Sequence, residues 1–316
     1  MSDTLKMQRS AQNPILAPTE RWWENAFVFN PAVVEFNGAV HMLYRAHGDD
    51  HISRLGHAVS ADGIHFERDP YPCLEGAVDE PLERLGVEDA RAVALNGWVY
   101  ATFTAASVEP VCPPHARCDL DATPWRVRVA MARTQDFRTW ERLGVVIPEY
   151  NSKNAVLFPR KIGGRYAMLH RVAPDVWIAF SDDLQTWDSH AVVMSPRSEG
   201  WDTKRIGAGP PPIETDAGWL LFYHGIDAGN TYRASAALLD KENPHKVLAR
   251  LDDWLIQPEQ EFEHHGWVGN VVFPTGCIER DGQFRLYYGG ADKVICTCTI
   301  PKADVEAALI GRIAKS

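Results

Sequence analysis

The sequence predicts an all-β protein, specifically a five-bladed β-propeller with a short N-terminal extension and a C-terminal helix. Two observations lead to this fold class. A glycine turn followed by a short apolar strand recurs along the chain, and a second turn motif of fixed spacing follows three of these hairpins. Sheets repeated in this way are typical of a propeller, whose blades surround one central channel.

The first repeat is a hairpin signal that occurs five times. A glycine turn precedes the apolar runs AVHMLYRA, WVYATFTA, RYAMLHR, WLLFYHG and QFRLYYGG, and the turn glycines are Gly38, Gly97, Gly164, Gly218 and Gly282. Asn-Gly and Asp-Gly between two apolar runs are strong signals for a tight β-hairpin. Successive glycines lie 54 to 67 residues apart, which leaves room for four strands and their turns.

The second repeat places a hydroxyl side chain, an aspartate and an aromatic ring at one spacing. Its three copies are Ser60-x-Asp62-x-x-x-Phe66, Thr134-x-Asp136-x-x-x-Trp140 and Ser181-x-Asp183-x-x-x-Trp187. Side-chain oxygens of this kind fix tight turns, and the ring can pack back on the sheet. A β-sandwich with ordinary hairpins is the alternative architecture, but it gives no reason for matched spacing across the units.

The last two units depart from this second motif. The fourth carries LLDKENPHKV (238–247) in its place, and the fifth continues into PKADVEAAL (301–309), where we expect the terminal helix. Because all five units belong to one repeat, we expect a single propeller domain over residues 1–316, a length that large β domains can reach.

Composition and charge restrict the class of function. Of the 316 residues, 45% are apolar and 23% are charged, which is ordinary for a globular protein. The net charge of −10 argues against nucleic acid or an anionic membrane as the partner. No apolar run approaches the ~18 residues of a membrane span, and the polar start of the chain shows no secretory signal. Six cysteines are too few for a disulfide scaffold, so we expect a cytoplasmic protein.

A metal site is not expected. Cys112, His115 and Cys118 lie close together in sequence, but a structural zinc ion usually takes four ligands. Cys296 and Cys298 alternate along an apolar run and are interpreted as strand residues.

Polar residues recur where the inner strands of the predicted blades end. Eight positions before the turn glycines lie Asn30, Asp89, Val156, Pro210 and Pro274, and seven positions after them lie Arg45, Thr104, Arg171, Gly225 and Gly289. His224 lies one position before Gly225, and Asp292 lies three positions after Gly289. An arginine and an aspartate could pair across the channel for structural reasons alone, but burying several charges without a function is expensive.

The expected channel contains more basic groups than carboxylates. The carboxylates are Asp89, Asp292 and the neighbouring Glu88, and the basic residues are Arg45, Arg171, Arg205, Lys153 and His224. Arginine binds phosphate with two parallel hydrogen bonds, so phosphate is the natural ligand. Trp22, Trp23, Tyr232 and Trp267 are candidates for stacking on sugar rings, although aromatic residues also form the core of any β protein.

The chain resembles glycoside hydrolase family 130, the β-mannoside phosphorylases, over nearly its whole length. The resemblance lies in FNPAVVEFNG (29–38), SRLGHAVSADG (53–63), GVEDAR (86–91), VLFPRKIGGRYAMLHR (156–171), RIGAGPPPI (205–213), GWLLFYHG (218–225) and YYGGAD (287–292). It implies a five-bladed propeller, in agreement with the repeats.

The resemblance also implies roles for individual residues. Asp89 would be the general acid, passing its proton through the O3 hydroxyl of the bound mannose. Phosphate would be bound by Arg171, Arg205, His224 and Lys153, and the mannoside by Asn30, Arg45 and Asp292. Tyr232, a candidate for stacking on a sugar ring, is expected to bind the substrate as well. The chain departs from the family pattern at Arg160, where many relatives have glutamate, and Arg160 either alters the charge near the site or faces solvent.

The expected reaction is inverting phosphorolysis of β-mannosides to α-mannose 1-phosphate. β-1,4-manno-oligosaccharides or mannosyl-N-acetylglucosamine are the expected substrates, with a β-1,2 linkage as the alternative. Inorganic phosphate is a co-substrate, no other cofactor is expected, and a homo-oligomer is favoured. Two rival functions stay open. One is a β-mannoside hydrolase, for which Glu261 or Glu263 would supply a second carboxylate facing Asp89, and the other is a non-catalytic sugar-binding propeller.

Overall fold

The computed structural model describes residues 5–108 and 125–313, and within these ranges the strands form five antiparallel sheets. The sheets confirm the five-bladed propeller predicted from the hairpin repeats. Cys112, His115 and Cys118 lie outside the described residues.

The strands follow the order of the chain, and each blade runs from an inner strand to an outer one. Blade one contains β2 to β5, which span Phe27–Phe36, Ala39–His47, Ser53–Ser60 and Glu67–Arg68. Blade two contains β6 to β9, which span Val87–Leu95, Trp98–Val108, Trp125–Thr134 and Glu141–Ile147. Blade three contains β10 to β13, which span Lys153–Leu157, Tyr166–Val172, Asp175–Ser181 and Asp188–Met194.

Blade four contains β14 to β18, in which β15 and β14 both pair with β16. These strands span Arg205–Ala208, Ile213–Thr215, Gly218–Ile226, Tyr232–Leu239 and Val247–Arg250. Blade five contains β19 to β21, which span Val272–Arg280, Gln283–Gly290 and Val294–Pro301. Its outermost strand is β1, Gln8–Arg9, so the start of the chain completes the last blade and closes the ring.

Two α-helices and one 3-10 turn complete the described elements. The 3-10 turn spans Pro81–Glu83, the short helix α1 spans Glu261–His264, and α2 spans Lys302–Ile313. Helix α2 is the predicted terminal helix, and it buries Val305 and Leu309 against blades four and five. Within the described ranges, no helix has the length and apolar character needed to cross a membrane.

The core lies between the blades rather than at the channel. Each pair of neighbouring blades shares one cluster of buried apolar side chains among the described residues. Successive residues of a strand point to opposite faces, so Ala92 of β6 packs towards blade one while Val93 packs towards blade three. The core therefore fixes the blades from both sides and leaves the inner strand ends free to carry polar groups.

The second sequence motif forms the turns that were expected of it. Ser60 accepts a hydrogen bond from the backbone N–H of Gly63, and Asp62 accepts from those of Ile64 and His65. The copies at Thr134 and Ser181 make the same contacts. These side chains replace backbone partners in the turn, which explains their constant spacing.

An irregularity at the start of the inner strands positions the channel residues. In blades one to three the strand register shifts there, and Asn30, Asp89 and Asn154 adopt left-handed backbone with φ near 50°. Asparagine and aspartate tolerate this conformation better than other residues with a Cβ. We expected Val156 at the corresponding position of blade three. That expectation was wrong, because Asn154 occupies this position.

The error comes from the blade-three hairpin. Ile162 pairs with Arg165, whereas Leu157 pairs with Met168, so four residues on one strand oppose two on the other. The two extra residues lie in the segment that contains Pro159, which donates no backbone hydrogen bond. Counting eight residues back from the turn glycine Gly164 therefore gives Val156, which is two residues after Asn154.

Candidate active site

A cavity of about 340 Å³ opens at the end of the channel where the inner strands begin. It is lined by eight of the nine predicted site residues: Asn30, Arg45, Asp89, Lys153, Arg171, Arg205, Tyr232 and Asp292. The ninth, His224, is buried and does not line the cavity. The topology thus brings together side chains from all five blades.

Asp89 lies at the centre of a buried hydrogen-bond network. Its Oδ1 atom accepts from Asn30 Nδ2 at 2.8 Å and from Arg45 Nη1 at 3.1 Å. Arg45 also donates from Nη2 to Glu88 Oε1 at 2.8 Å, and its Nε donates to Ser53 Oγ at 3.0 Å. Arg45 is therefore fixed on three sides and in turn orients the Asp89 carboxylate.

Burial and the charges around the cavity shift the pKa values of Asp89 and Asp292 in opposite directions. Burial acts to raise the pKa of Asp89, but the charges of Arg45, Lys153 and Arg91 outweigh it and hold the pKa well below its ordinary value. Burial raises the pKa of Asp292 to about 7, and the negative charge of Asp89 adds to that shift. Asp89 is therefore ionised at neutral pH, whereas Asp292 titrates near neutral pH and is the more readily protonated of the two carboxyls.

The cations on the other side of the cavity lack carboxylate partners. Arg171 is only 8% exposed, yet its guanidinium makes no hydrogen bond or ion pair with any described residue. Burial and the neighbouring charge of Arg205 lower the pKa of Arg171 to about 10, so it stays charged at neutral pH. Arg205 donates to Tyr232 Oη at 2.6 Å, while its buried Nε has no partner among the described residues. Burial also lowers the pKa of Lys153.

Arg91 is a site residue that sequence reasoning missed. Its guanidinium is buried and donates to three backbone carbonyls, those of Asp89 at 2.7 Å, Gly209 at 3.0 Å and Ala208 at 3.3 Å. It therefore ties the backbone of the central aspartate to the glycine-rich strand of blade four. Arg91 follows Asp89 by two residues, but the register shift between Glu88 and Arg91 interrupts the regular alternation of side chains, so its spacing gave no signal.

His224 and Asn154 lie together beneath the cavity. Asn154 Nδ2 is 3.4 Å from His224 Nε2, and the two side chains pack against Gly207, where any Cβ would collide with both. Burial and the charges of Arg171 and Arg91 lower the pKa of His224 well below its ordinary value. The sequence counted His224 among the cations, whereas its lowered pKa leaves the ring neutral at neutral pH.

The mouth of the cavity is apolar, in contrast to its floor. Trp125, Val127, Trp267 and Val268 line it, and the two tryptophans are 54% and 45% exposed. Trp125 was not among the sequence candidates. Of the predicted stacking residues, Tyr232 and Trp267 line the cavity, Trp22 is exposed outside it against Arg54, and Trp23 is buried against Tyr44.

Two other sequence questions are answered by position. Glu263 is buried in an ion pair with Arg9, and Glu261 is exposed to solvent. Neither lines the cavity, so neither faces Asp89 as a second carboxylate. Arg160 forms an ion pair with Glu214 at 2.9 Å on the outside of the blades, so it faces solvent rather than the site.

The described ranges contain no group of three or more histidine, cysteine or acidic side chains arranged to hold a metal ion. Within the cavity, the ionised Asp89 and the more readily protonated Asp292 face a set of buried cations, and these cations can bind an anion.

Comparisons with known proteins find similarity over nearly the whole chain. A family model described as beta-1,4-mannooligosaccharide phosphorylase matches residues 6–307. The chain is 41% identical over 310 residues to the 1,2-beta-oligomannan phosphorylase of Thermoanaerobacter sp. (strain X514), covering 96% of this chain and 99% of the relative. It is 34% identical over 302 residues to the beta-1,4-mannooligosaccharide phosphorylase of Ruminococcus albus, covering 90% and 84%. The solved beta-1,2-mannobiose phosphorylase of Listeria innocua, in complex with beta-1,2-mannobiose, superposes with a TM-score of 0.83 at 27% identity, covering 97% and 100%.

Proposed function

The chain belongs to glycoside hydrolase family 130, and we propose that it cleaves β-1,2-linked manno-oligosaccharides with inorganic phosphate. The products are α-mannose 1-phosphate and an acceptor shortened by one mannose. The observation that carries the proposal is Arg171, a buried guanidinium with no partner among the described residues, which lines one cavity with Arg205 and Lys153. A buried unpaired charge is costly, and a bound phosphate dianion would satisfy it.

The same groups explain why phosphate rather than water is the nucleophile. An inverting hydrolase needs a second carboxylate about 6.5–9.5 Å from the acid to deprotonate a water molecule. Phosphate is already nucleophilic, so the cations need only bind it and direct one oxygen to the anomeric carbon. Positioning of this kind can contribute about 7–11 kcal/mol relative to the free bimolecular reaction.

Asp89 is the proposed general acid, acting on the oxygen that leaves with the acceptor. It lies beside Asn30 and Arg45, which we assign to the mannose that is transferred. The surrounding cations keep Asp89 ionised. A bound phosphate dianion offsets those cations and raises the pKa of Asp89, so the acid gains its proton when both substrates are present. Asp292, whose pKa is raised to about 7, donates a hydrogen bond to a sugar hydroxyl in its protonated form.

The linkage proposed here differs from the one that the sequence favoured. The β-1,4 expectation rested on chain length and family resemblance alone. The relative with 41% identity is named for β-1,2-oligomannan, and the solved structure with a TM-score of 0.83 contains β-1,2-mannobiose, which supports the β-1,2 linkage. The relative named for β-1,4 substrates is 34% identical.

One assay tests the proposal against both rivals. The protein is incubated with β-1,2-mannobiose or β-1,4-mannobiose, with and without phosphate, and products are separated by anion-exchange chromatography. We expect α-mannose 1-phosphate from the β-1,2 substrate only when phosphate is present. Free mannose formed equally without phosphate would indicate a hydrolase, and binding without any product would indicate a sugar-binding protein. Faster phosphorolysis of the β-1,4 substrate would overturn the linkage alone.

A further inference from the structure

The cavity has a polar floor and an apolar mouth. This difference indicates which part of the substrate lies at the mouth. Arg45, Asp89 and Arg171, on the floor, are each less than a tenth exposed, whereas Trp125 and Trp267 are about half exposed. The proposed function places phosphate and the transferred mannose on the floor. The remaining sugars then lie at the mouth, because the acceptor has to leave towards solvent and a longer chain has to extend there.

Trp267 is held rigidly although much of it is exposed. Its ring stacks on Phe27 with centroids 5.2 Å apart and packs edge-on against His47 at 4.8 Å and Phe29 at 6.1 Å. The guanidinium of Arg45 lies 5.8 Å from the centre of the same ring. An aromatic surface fixed in this way loses little side-chain entropy when a ligand covers it.

The backbone around Trp267 is fixed as well. The N–H of Val268 donates to the carbonyl of Ala291, and a Cβ at Gly266 would collide with that same carbonyl oxygen. Ala291 directly precedes Asp292, a residue of the cavity floor. Trp267 is therefore attached on one side to the loop of Asp292 and on the other to Arg45, which contacts Asp89. This position is at the boundary between the transferred mannose and the acceptor.

We propose that Trp267 is the stacking platform for the first acceptor sugar, and that Trp125 provides a second platform for the next sugar of an oligosaccharide. The proposal rests on the proposed function and deepens it. The apolar face of a pyranose ring covers an indole ring well, while the hydroxyls at its edge stay in water. Because the mouth is lined by Trp125, Val127, Trp267 and Val268, it recognises ring faces rather than a pattern of hydroxyls. It therefore binds an oligosaccharide acceptor better than a single mannose.

The test measures synthesis, with α-mannose 1-phosphate as donor and either mannose or β-1,2-mannobiose as acceptor, by the release of phosphate. In Trp267→Ala we expect the acceptor KM to rise about tenfold for both acceptors, with the donor KM changed by about twofold or less. Trp267→Phe restores the acceptor KM to within about threefold of the wild type. In Trp125→Ala we expect the KM to rise for mannobiose only.

Trp22→Ala is the matched control, because Trp22 is also about half exposed but lies outside the cavity. An unchanged acceptor KM in Trp267→Ala, or an equal rise in the donor KM, would overturn the platform. A rise in KM that is equal for both acceptors in Trp125→Ala would overturn the second platform. If Trp267→Ala does not fold, as judged by circular dichroism, Trp267→Leu keeps the apolar volume without the aromatic face, and the same KM outcomes apply.

Failure of the proposed function is distinguishable from failure of this inference. If the wild type releases no phosphate with either acceptor, the proposed reaction is refuted. Titration calorimetry of β-1,2-mannobiose into the phosphate-free protein then tests the platform alone. At least tenfold weaker binding by Trp267→Ala supports it, and equal affinity overturns it.

Discussion

Glu263 and Asp89 are both buried carboxylates that bind an arginine, yet their surroundings differ. Glu263 accepts two hydrogen bonds from Arg9, one from the hydroxyl of Tyr288 and two from backbone N–H groups around the start of α1. Asp89 accepts side-chain hydrogen bonds only at Oδ1, from Asn30 and Arg45, among the described residues. We call the Glu263 cluster closed, because both carboxylate oxygens accept hydrogen bonds, and the Asp89 cluster open, because only Oδ1 does so among the described residues.

The difference shows how a buried charge with a structural role can be told from one at a functional site. The donors around Glu263 match its acceptors, so that site is complete without a ligand. Near Asp89, Arg171 and the Nε of Arg205 have no described partner, and both side chains face a cavity. Unused hydrogen-bonding capacity beside a cavity, rather than burial of charge by itself, marks the site for a ligand.

The sharpest way to test this contrast is Asp89→Asn. We expect phosphorolysis to fall by roughly 10²–10⁴-fold, because the general acid is lost while the side chain keeps its shape. The melting temperature and the KM for phosphate should stay close to those of the wild type. Turnover is measured as α-mannose 1-phosphate formed, and turnover at the wild-type rate would refute the acid assignment.

Glu263→Ala tests the closed side of the comparison. Removing the carboxylate leaves Arg9 without its main partner, so we expect the free energy of unfolding to fall by about 3 kcal/mol. Urea denaturation measures this loss, and Glu261→Ala, two positions away in sequence but exposed, is the control. A loss of phosphate affinity in folded Glu263→Ala protein would contradict a purely structural role.

Arg171→Ala tests the open side. Removing a charged donor to phosphate is expected to raise the KM for phosphate by about 10- to 100-fold, with a smaller effect on the mannoside KM. The control is Arg165→Ala on the same blade, because Arg165 is bound to Asp182 and Asp188 outside the cavity. If both variants keep the wild-type phosphate KM, Arg171 does not bind phosphate.

The smallest expected effect is on the pH dependence of stability. In the fold the pKa of Asp292 is raised to about 7, above its value in the unfolded chain. Its contribution to stability is therefore complete at low pH and is lost as the pH rises through about 7. Urea denaturation between about pH 5 and pH 8 should show the wild type losing stability relative to Asp292→Asn. Parallel curves for the two proteins would contradict this.

The fold was predictable because its signals are local. Turn glycines and the hydroxyl–aspartate motif act within a few residues, so their spacing alone revealed the five blades. The pairing of Gln8–Arg9 with the last blade was not predictable, because a two-residue strand has no periodicity and its partner lies almost 300 residues away. The position of Asn154 at the start of the inner strand was missed, because the two extra residues near Pro159 become visible only when the strand register is known.

The site was predictable where side chains lie at repeated strand ends. Asn30, Asp89, Arg45 and Arg171 follow from that rule and share one cavity, although their roles stay predictions. Arg91 could not be found in this way, because its contact with Gly209 joins segments 118 residues apart. The neutral state of His224 depends on the combined field of several cations, which a sequence does not display.

The strand pairing of Gln8 with Thr299 and Arg9 with Cys298 joins residues that lie 291 and 289 positions apart in sequence. The cavity likewise takes side chains from every blade. Completion of the last blade and formation of the cavity therefore both depend on contacts of long sequence separation, which form slowly during folding.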